Sequence, residues 1–280
     1  MNILITGSSG FVGTYLCNRF RQTHDVFEFD LPFDIRDPSN VLTKVNSDID
    51  AVIHLAAQVR IDKAIEDPLT TFNINVKGTE LILEAMRLID IPKLLFASSS
   101  DIYGSAQYTP IDEKHPLGST NPYGASKIAA ERLCYAYGET YGISVGILRC
   151  FNIYGDGQKA GVVPIFINRA IRGEPLVIHG DGSQCRDYVY IDDIVEAYDL
   201  MLHKDVKDAV NFGCGVSTST KTIAENVLCV TGSLSKIEYT GGEERPTMTL
   251  VANRDRARDL GWVPIMYPRD GIQKIVEGFK

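Results

Sequence analysis

Three glycines spaced three apart, Gly7-Ser-Ser-Gly10-Phe-Val-Gly13, stand directly after the apolar run Asn2-Ile-Leu-Ile-Thr6. An apolar run of that length bounded by glycine reads as a buried strand, and the segment from Phe11 onward reads as a helix. Missing side chains let the backbone turn tightly out of the strand and let the helix pack close upon it. The same alternation continues down the chain. Strands are expected at 3–6, 26–29, 51–55, 94–98, 145–149 and 210–212, and helices at 11–21, 68–88, 123–141 and 192–202. Short apolar runs alternating with helical-period segments mark a parallel sheet covered on both faces. The expected fold class is α/β, a doubly wound parallel Rossmann sheet with a smaller C-terminal domain. A ligand would lie beyond the carboxyl ends of the strands.

At 280 residues the chain can bury one large core, or a core plus a small accessory domain. After Gly155 the texture changes, because Gly157, Gly161, Pro164, Gly173, Pro175, Gly180 and Gly182 punctuate short elements. The division expected is a main sheet domain over 1–155, with 187–213 returning to it, and a smaller part over 156–280. A net charge of −8 argues against a broad nucleic-acid surface, although one or two arginines can still bind a diphosphate locally. The six cysteines, Cys17, Cys134, Cys150, Cys185, Cys214 and Cys229, form no C-x-x-C pair and read as free thiols in a reducing compartment. No metal site is expected. No apolar run approaches the roughly 20 residues that span a bilayer, and no signal peptide is visible, so the cytoplasm is the expected location.

The glycine turn sits between strand and helix, the context in which a dinucleotide is held, with the helix N-terminus offering N–H groups to phosphates. Asp30 ends the second strand about 20 residues on, where a carboxylate accepts bonds from ribose hydroxyls and repels a 2′-phosphate. NAD is therefore favoured over NADP. Glu28, Asp34 and Asp37 are rivals for that role, and Asp34-Ile35 is a candidate adenine contact. His54-Leu-Ala-Ala57 puts small residues at the end of the third strand, with His54 itself read as a core histidine. Tyr123 and Lys127 lie four apart, hence on one helix face. A neighbouring ammonium favours the phenolate, turning a poor base into a usable proton acceptor for an alcohol that loses a hydride. Ser98-Ser99-Ser100 either supplies a hydroxyl to that site or simply ends a strand. Arg186 is either a phosphate ligand or the ion-pair partner of Asp187. Asp192, Asp193, Glu196 and Asp199 read as a helix N-cap and solvated face rather than a metal cluster.

Together GSSGFVG, HLAAQ (54–58), NVKGT (75–79), SSSDIYG (98–104), NPYGASK (121–127), LRCFNIYG (148–155), GDGSQCRDYVYIDD (180–193) and LGW (260–262) resemble, in order and over essentially the whole length, the extended short-chain dehydrogenase/reductase family. The branch resembled is that of the nucleotide-sugar epimerases and dehydratases, of UDP-glucose 4-epimerase type. The resemblance implies Tyr123 as general base, Lys127 as its partner and holder of the nicotinamide ribose, and Ser99 bonded to the reacting sugar oxygen. Gly7, Gly10, Phe11, Val12, Gly13, Asp30, Asp34, Ile35, Leu55, Ala56, Ala57 and Asn75 match NAD-contact positions. Asn152, Arg186 and Arg245 match positions that hold a nucleotide-diphosphate sugar. It further implies that 1–155 binds NAD, that 156–280 mainly binds the nucleotide sugar, and that the chain forms a homodimer through helices 68–88 and 123–141. Branch members oxidise the sugar C4 onto bound NAD. A 4-epimerase then returns the hydride to the opposite face. A 4,6-dehydratase resembles Thr-(Asp/Ser)-Glu where this chain has Ser99-Ser100-Asp101, and Glu243-Glu244-Arg245-Pro246 departs from the commoner R-P-G-D. The expected activity is 4-epimerase, with dehydratase or decarboxylase, 4-keto-sugar reductase, and a non-catalytic dinucleotide sensor as alternatives.

Overall fold

The computed structural model describes residues 1–241 and 249–279. Strands β1 (Asn2–Thr6), β2 (Asp25–Phe29), β3 (Ala51–His54), β4 (Lys93–Ser99) and β5 (Ser144–Cys150) join Ala209–Phe212 in one six-stranded sheet. Its order is Ala209–Phe212, β5, β4, β3, β1, β2, and the pairs β1–β2, β1–β3 and β3–β4 are parallel. Every one of the six expected strands is present, with ends within one residue of expectation. All four residues of β3 are buried, which is why a continuous apolar run rather than an alternating one encodes it. From β1 the chain moves outward to β2, then crosses back to β3 on the other side of β1. That reversal opens a crevice at the carboxyl ends of β1 and β3.

Helices α1 (Phe11–Phe20), α2 (Pro38–Lys44), α3 (Ile61–Glu66), α4 (Pro68–Phe72), α5 (Gly78–Leu88) and α6 (Pro122–Tyr141) connect these strands. Local chemistry sets their ends. Asn121 accepts the Gly124 N–H at 2.9 Å to cap α6, Pro122 fits its first turn, and Gly142 ends it in the left-handed conformation. The helix expected over 68–88 is three segments, α4, a π-helical turn Asn73–Lys77, and α5. The sequence pattern conceals the turn because periodicity on either side is unbroken.

The chain divides into two compact units. The first contains 1–104, 116–149 and 197–210, hence β1 to β4, β5 up to Arg149, the start of the sixth strand and α1 to α6. The second contains 105–115, 150–196 and 211–280, and is built on small two-stranded pairings such as Asn152–Tyr154 with Tyr188–Tyr190 and Leu176–His179 with Ile237–Thr240. Two of its acidic residues are structural. The Asp193 carboxylate accepts the N–H groups of Ile265 and Met266, its carbonyl accepts Trp262 Nε1–H, and Asp192 pairs with Lys274. Asp192 and Asp193 lie in the first turn of the helix Ile191–His203 as expected, but Asp193 is buried rather than solvated and its side chain also clamps a distant loop. Among the described residues no helix is long and apolar enough to cross a membrane. All six cysteines are free thiols, four of them buried.

Candidate active site

The glycine turn follows from steric necessity. Gly7 has φ +71°, and a Cβ there would sit 2.8 Å from the Ala56 nitrogen at the end of β3. At Gly13 a Cβ would lie 2.2 Å from the Gly7 carbonyl oxygen, so any side chain would force α1 off the strand. No acidic residue occupies the first turn of α1, which leaves its N-terminal N–H groups facing Gly10 without a competing carboxylate. The glycines thus let β1, α1 and the segment after β3 close on one another, and the helix N-terminus at Gly10, with no side-chain cap, fits a diphosphate.

Asp30 closes the loop from the other side. Its Oδ2 accepts the Ser9 N–H at 2.8 Å and the Ser9 Oγ–H at 2.7 Å, while Oδ1 accepts the Leu31 N–H at 2.7 Å. Burial alone would raise this carboxyl, but the three donors outweigh it and hold the group below the usual carboxylate range. Asp34 lines an open cleft of about 390 Å³ with Arg36, Asp37, Asn73 and Lys77. Its carboxylate is forked by Arg36 at 2.6 to 3.0 Å, and that bond keeps it ionised. Of the rivals to Asp30, Glu28 pairs with Arg21 and Asp37 caps α2. Ile35 is buried against Gly78 of α5.

Beneath the cradle runs a directed chain of hydrogen bonds. The Ala56 N–H donates to Thr6 Oγ1 at 3.1 Å, and Thr6 Oγ1 lies 2.7 Å from His54 Nδ1. His54 Nε2 lies 3.0 Å from Thr79 Oγ1, which donates to the Asn75 carbonyl at 2.7 Å. These directions assign one tautomer, with the proton on Nε2. Burial, aided by the charge of Lys127, pushes His54 down to about 3, so it is a neutral core histidine. Asn75, turned inward by the π-helical turn, accepts the Gln58 N–H and donates to the Gln58 carbonyl and to Ser126 Oγ. Ser126 in turn donates to the Tyr123 carbonyl at 2.6 Å. Ser9, Gln58 and Ser126, which the motif reading did not single out, hydrogen-bond to Asp30, Asn75 and the Tyr123 carbonyl. Each is a small polar neighbour of a named residue, and only its position in the fold reveals it.

Tyr123 and Lys127 occupy the inward face of α6, and both are buried. Lys127 Nζ donates to the Ala97 carbonyl of β4 at 2.9 Å and lies 4.9 Å from the centre of the Phe96 ring. That anchor ties the Tyr–Lys face to the strand that ends at Ser99. Ser99 Oγ accepts the Asp101 N–H and donates to the Asp101 carboxylate, both at 3.2 Å. Ser100 is buried. A Cβ at Gly124 would lie 2.0 Å from Ser119 Oγ and 2.7 Å from the Asp101 carbonyl oxygen, so only glycine there lets α6 approach the Ser99–Asp101 turn this closely. In the second unit, the backbone N–H and Nδ2 of Asn152 both donate to the Asp187 carbonyl, which seats Asn152 beside the residue following Arg186. Arg186 Nη1 donates to the Cys185 carbonyl. The Asp187 carboxylate accepts the N–H groups of Cys214, Gly215 and Ala252. Burial raises it to about 6 against those donors, which leaves it ionised at neutral pH. Arg245 lies outside the described residues.

A sequence model of the NAD dependent epimerase/dehydratase family matches residues 3–213. A putative UDP-glucose 4-epimerase of Methanocaldococcus jannaschii is 35% identical, over 99% of this chain and 98% of its own. The crystal structure of Thermotoga maritima UDP-glucose 4-epimerase with UDP-glucose superposes with a TM-score of 0.94 at 28% identity, covering 100% of this chain and 98% of that one. That of Thermus thermophilus UDP-glucose 4-epimerase in complex with NAD gives 0.91 at 29% identity, with 100% and 99% covered.

Proposed function

Because the chain belongs to the NAD dependent epimerase/dehydratase family, within the extended short-chain dehydrogenases/reductases, we propose that it is a 4-epimerase of UDP-hexoses. NAD is its cofactor and, when bound, supplies an acceptor and then a donor for the hydride at the sugar C4. Gly7, Gly10, Phe11, Val12 and Gly13 would cradle the diphosphate, Asp30 the adenosine ribose and Lys127 the nicotinamide ribose. Tyr123 takes the proton of the sugar 4-hydroxyl, the Lys127 ammonium favours its phenolate, and Ser99 bonds the same sugar oxygen. Asn152, Arg186 and Arg245 hold the nucleotide diphosphate of the substrate. The observation that carries this reading is the Lys127–Ala97 bond, which fixes the acid/base face of α6 to the strand ending in Ser99.

Asp101 separates epimerase from dehydratase. Elimination at C5–C6 needs an acid/base group that reaches past C4. The Asp101 carboxylate, one methylene shorter than glutamate, instead folds back to accept the Ser99 hydroxyl, which supports epimerisation. An ionised Asp30 speaks against NADP and hence against a reductase. Denatured protein is expected to release NAD, and the folded chain to interconvert UDP-glucose and UDP-galactose with no loss of water or carbon dioxide. Incubation with UDP-, dTDP- and GDP-sugars, following epimer, water loss and carbon dioxide separately, tests this. A 4-keto-6-deoxy product assigns a dehydratase, carbon dioxide a decarboxylase, and consumption of NADPH a reductase. Inertness toward every sugar nucleotide leaves the dinucleotide sensor.

A further inference from the structure

One helical turn beyond Lys127, on the same face of α6, stands a fully buried carboxylate, Glu131. It is matched by Arg149, buried in β5, whose Nη2 and Nε donate to Glu131 Oε2 and Oε1 at 2.7 and 3.1 Å. Ion pairs so deeply buried seldom improve on a well-packed apolar pair for stability alone, because both ions lose their hydration. What sets this pair apart is what its spare hydrogen-bonding capacity holds. Ser98 Oγ donates to Glu131 Oε1, and Arg149 Nη1 donates to the Tyr103 hydroxyl oxygen at 3.1 Å, with the guanidinium also packed over the Tyr103 ring. Ser98 and Tyr103 flank the turn that carries Ser99 and Asp101, so the pair grips that turn at both ends. Between the grips, the Asp101 carbonyl rests where only a glycine at position 124 leaves room, immediately after Tyr123.

We infer that Glu131 and Arg149 are positioning residues for Ser99. They fix the serine hydroxyl relative to the Tyr123 helix through Ser98 and Tyr103, and they touch neither substrate nor cofactor themselves. This rests on the 4-epimerase reading, in which Ser99 and Tyr123 must meet one sugar oxygen. Misplacement of a reacting group by about 1 Å can cost on the order of 100-fold in rate, so a rigid grip on the turn has a direct kinetic consequence.

Removing Glu131 would strand a buried arginine and endanger folding, so the test acts at the other end of the grips. The variant Ser98→Ala/Tyr103→Phe leaves the ion pair intact and frees the turn. Expected are unchanged NAD content, a KM for UDP-glucose within about threefold of wild type, and a kcat lower by about tenfold or more. Adding Ser99→Ala should then cost much less than it does in the wild-type background, because an unplaced serine has little left to lose. A purely structural role would lower thermal stability and leave these rate effects independent. Unchanged kcat in the double variant, or full multiplication with Ser99→Ala, overturns the inference while leaving the epimerase reading in place. A wild-type chain inert toward UDP-, dTDP- and GDP-sugars overturns that reading, and this inference with it.

Discussion

Tyr123 carries a hydroxyl whose chemistry depends on its surroundings, since a phenol in water titrates near 10. Its helix supplies a cation four residues on and, through Ser126 and Asn75, a fixed backbone carbonyl. Tyr123→Phe keeps the ring and deletes the proton acceptor. We expect loss of turnover by about 10²- to 10⁴-fold with NAD still released on denaturation, and wild-type turnover in the variant would remove Tyr123 from the mechanism. Asp30 makes a second residue-scale case. Its carboxylate already accepts three hydrogen bonds, which secure its charge and aim it along the loop. Asp30→Ala removes both an acceptor for ribose hydroxyls and the charge that repels a 2′-phosphate. NAD affinity should fall by about 10- to 100-fold and NADP affinity much less, as equilibrium titrations of the apo protein with each dinucleotide would read. Equal losses would transfer the ribose-reading role to another carboxylate.

Among the elements, the strands of the six-stranded sheet were legible, most clearly β3 and β5, whose burial demands continuous apolar runs, whereas short strands of the second unit such as Leu176–His179 and Ile237–Thr240 were not. The four expected helices are present, but Pro38–Lys44, Val162–Ile171, Thr220–Thr231 and Pro268–Glu277 were not read from the sequence, nor was the π-helical turn Asn73–Lys77. Its partners are tertiary: the inward Asn75 side chain bonds Gln58 and Ser126 from other elements, and no local pattern announces them. For the same reason the glycine turn, Asp30, Tyr123 and Lys127 could be named from spacing, whereas Ser9, Ser126, Glu131 and Arg149 emerge only when elements meet. His54 shows how strongly those meetings couple. It joins β1 to α5 as a neutral, buried group held at about 3, against an ordinary value of 6.5. Between those two values the unfolded chain binds a proton that the folded chain refuses. This histidine's contribution is therefore complete above pH 6.5 and is lost as pH falls toward 3, at about 1.4 kcal/mol per pH unit for a single proton. His54→Gln should be less stable at pH 7 yet show the flatter decline between pH 6 and 4.5. Urea unfolding midpoints at several pH values measure both slopes, and parallel curves would refute the assignment.

At the scale of the whole molecule, the sheet unit presents α4 and α5 beside α6, and α4 exposes Leu69 at 72% and Phe72 at 37%. Single exposed apolar residues are ordinary on a monomer. Two on one short helix, beside Ile65 at 63% on α3, form a patch whose burial in a second copy would release water from apolar surface. We propose that two chains associate through these helices, as the resemblance to homodimeric relatives implies. A stable contact of this kind buries about 800 Å² per partner, so a charge placed at its apolar centre must be desolvated without a partner and should dissociate it. Wild type is expected to sediment at twice the chain mass at micromolar concentration. The Ile65→Glu/Leu69→Glu variant is expected to sediment as a monomer with unchanged circular dichroism, because both side chains are mostly exposed in the single chain. A monomeric wild type, or a variant that remains dimeric, would place the contact elsewhere or abolish it. Since Asn75 and Ser126 lie on the α4–α5 connection and on α6, the monomer's retained NAD then reports whether the hydrogen bonds behind Tyr123 hold without a second copy. Retention would show that one chain suffices to build the cofactor site, and loss that association braces it.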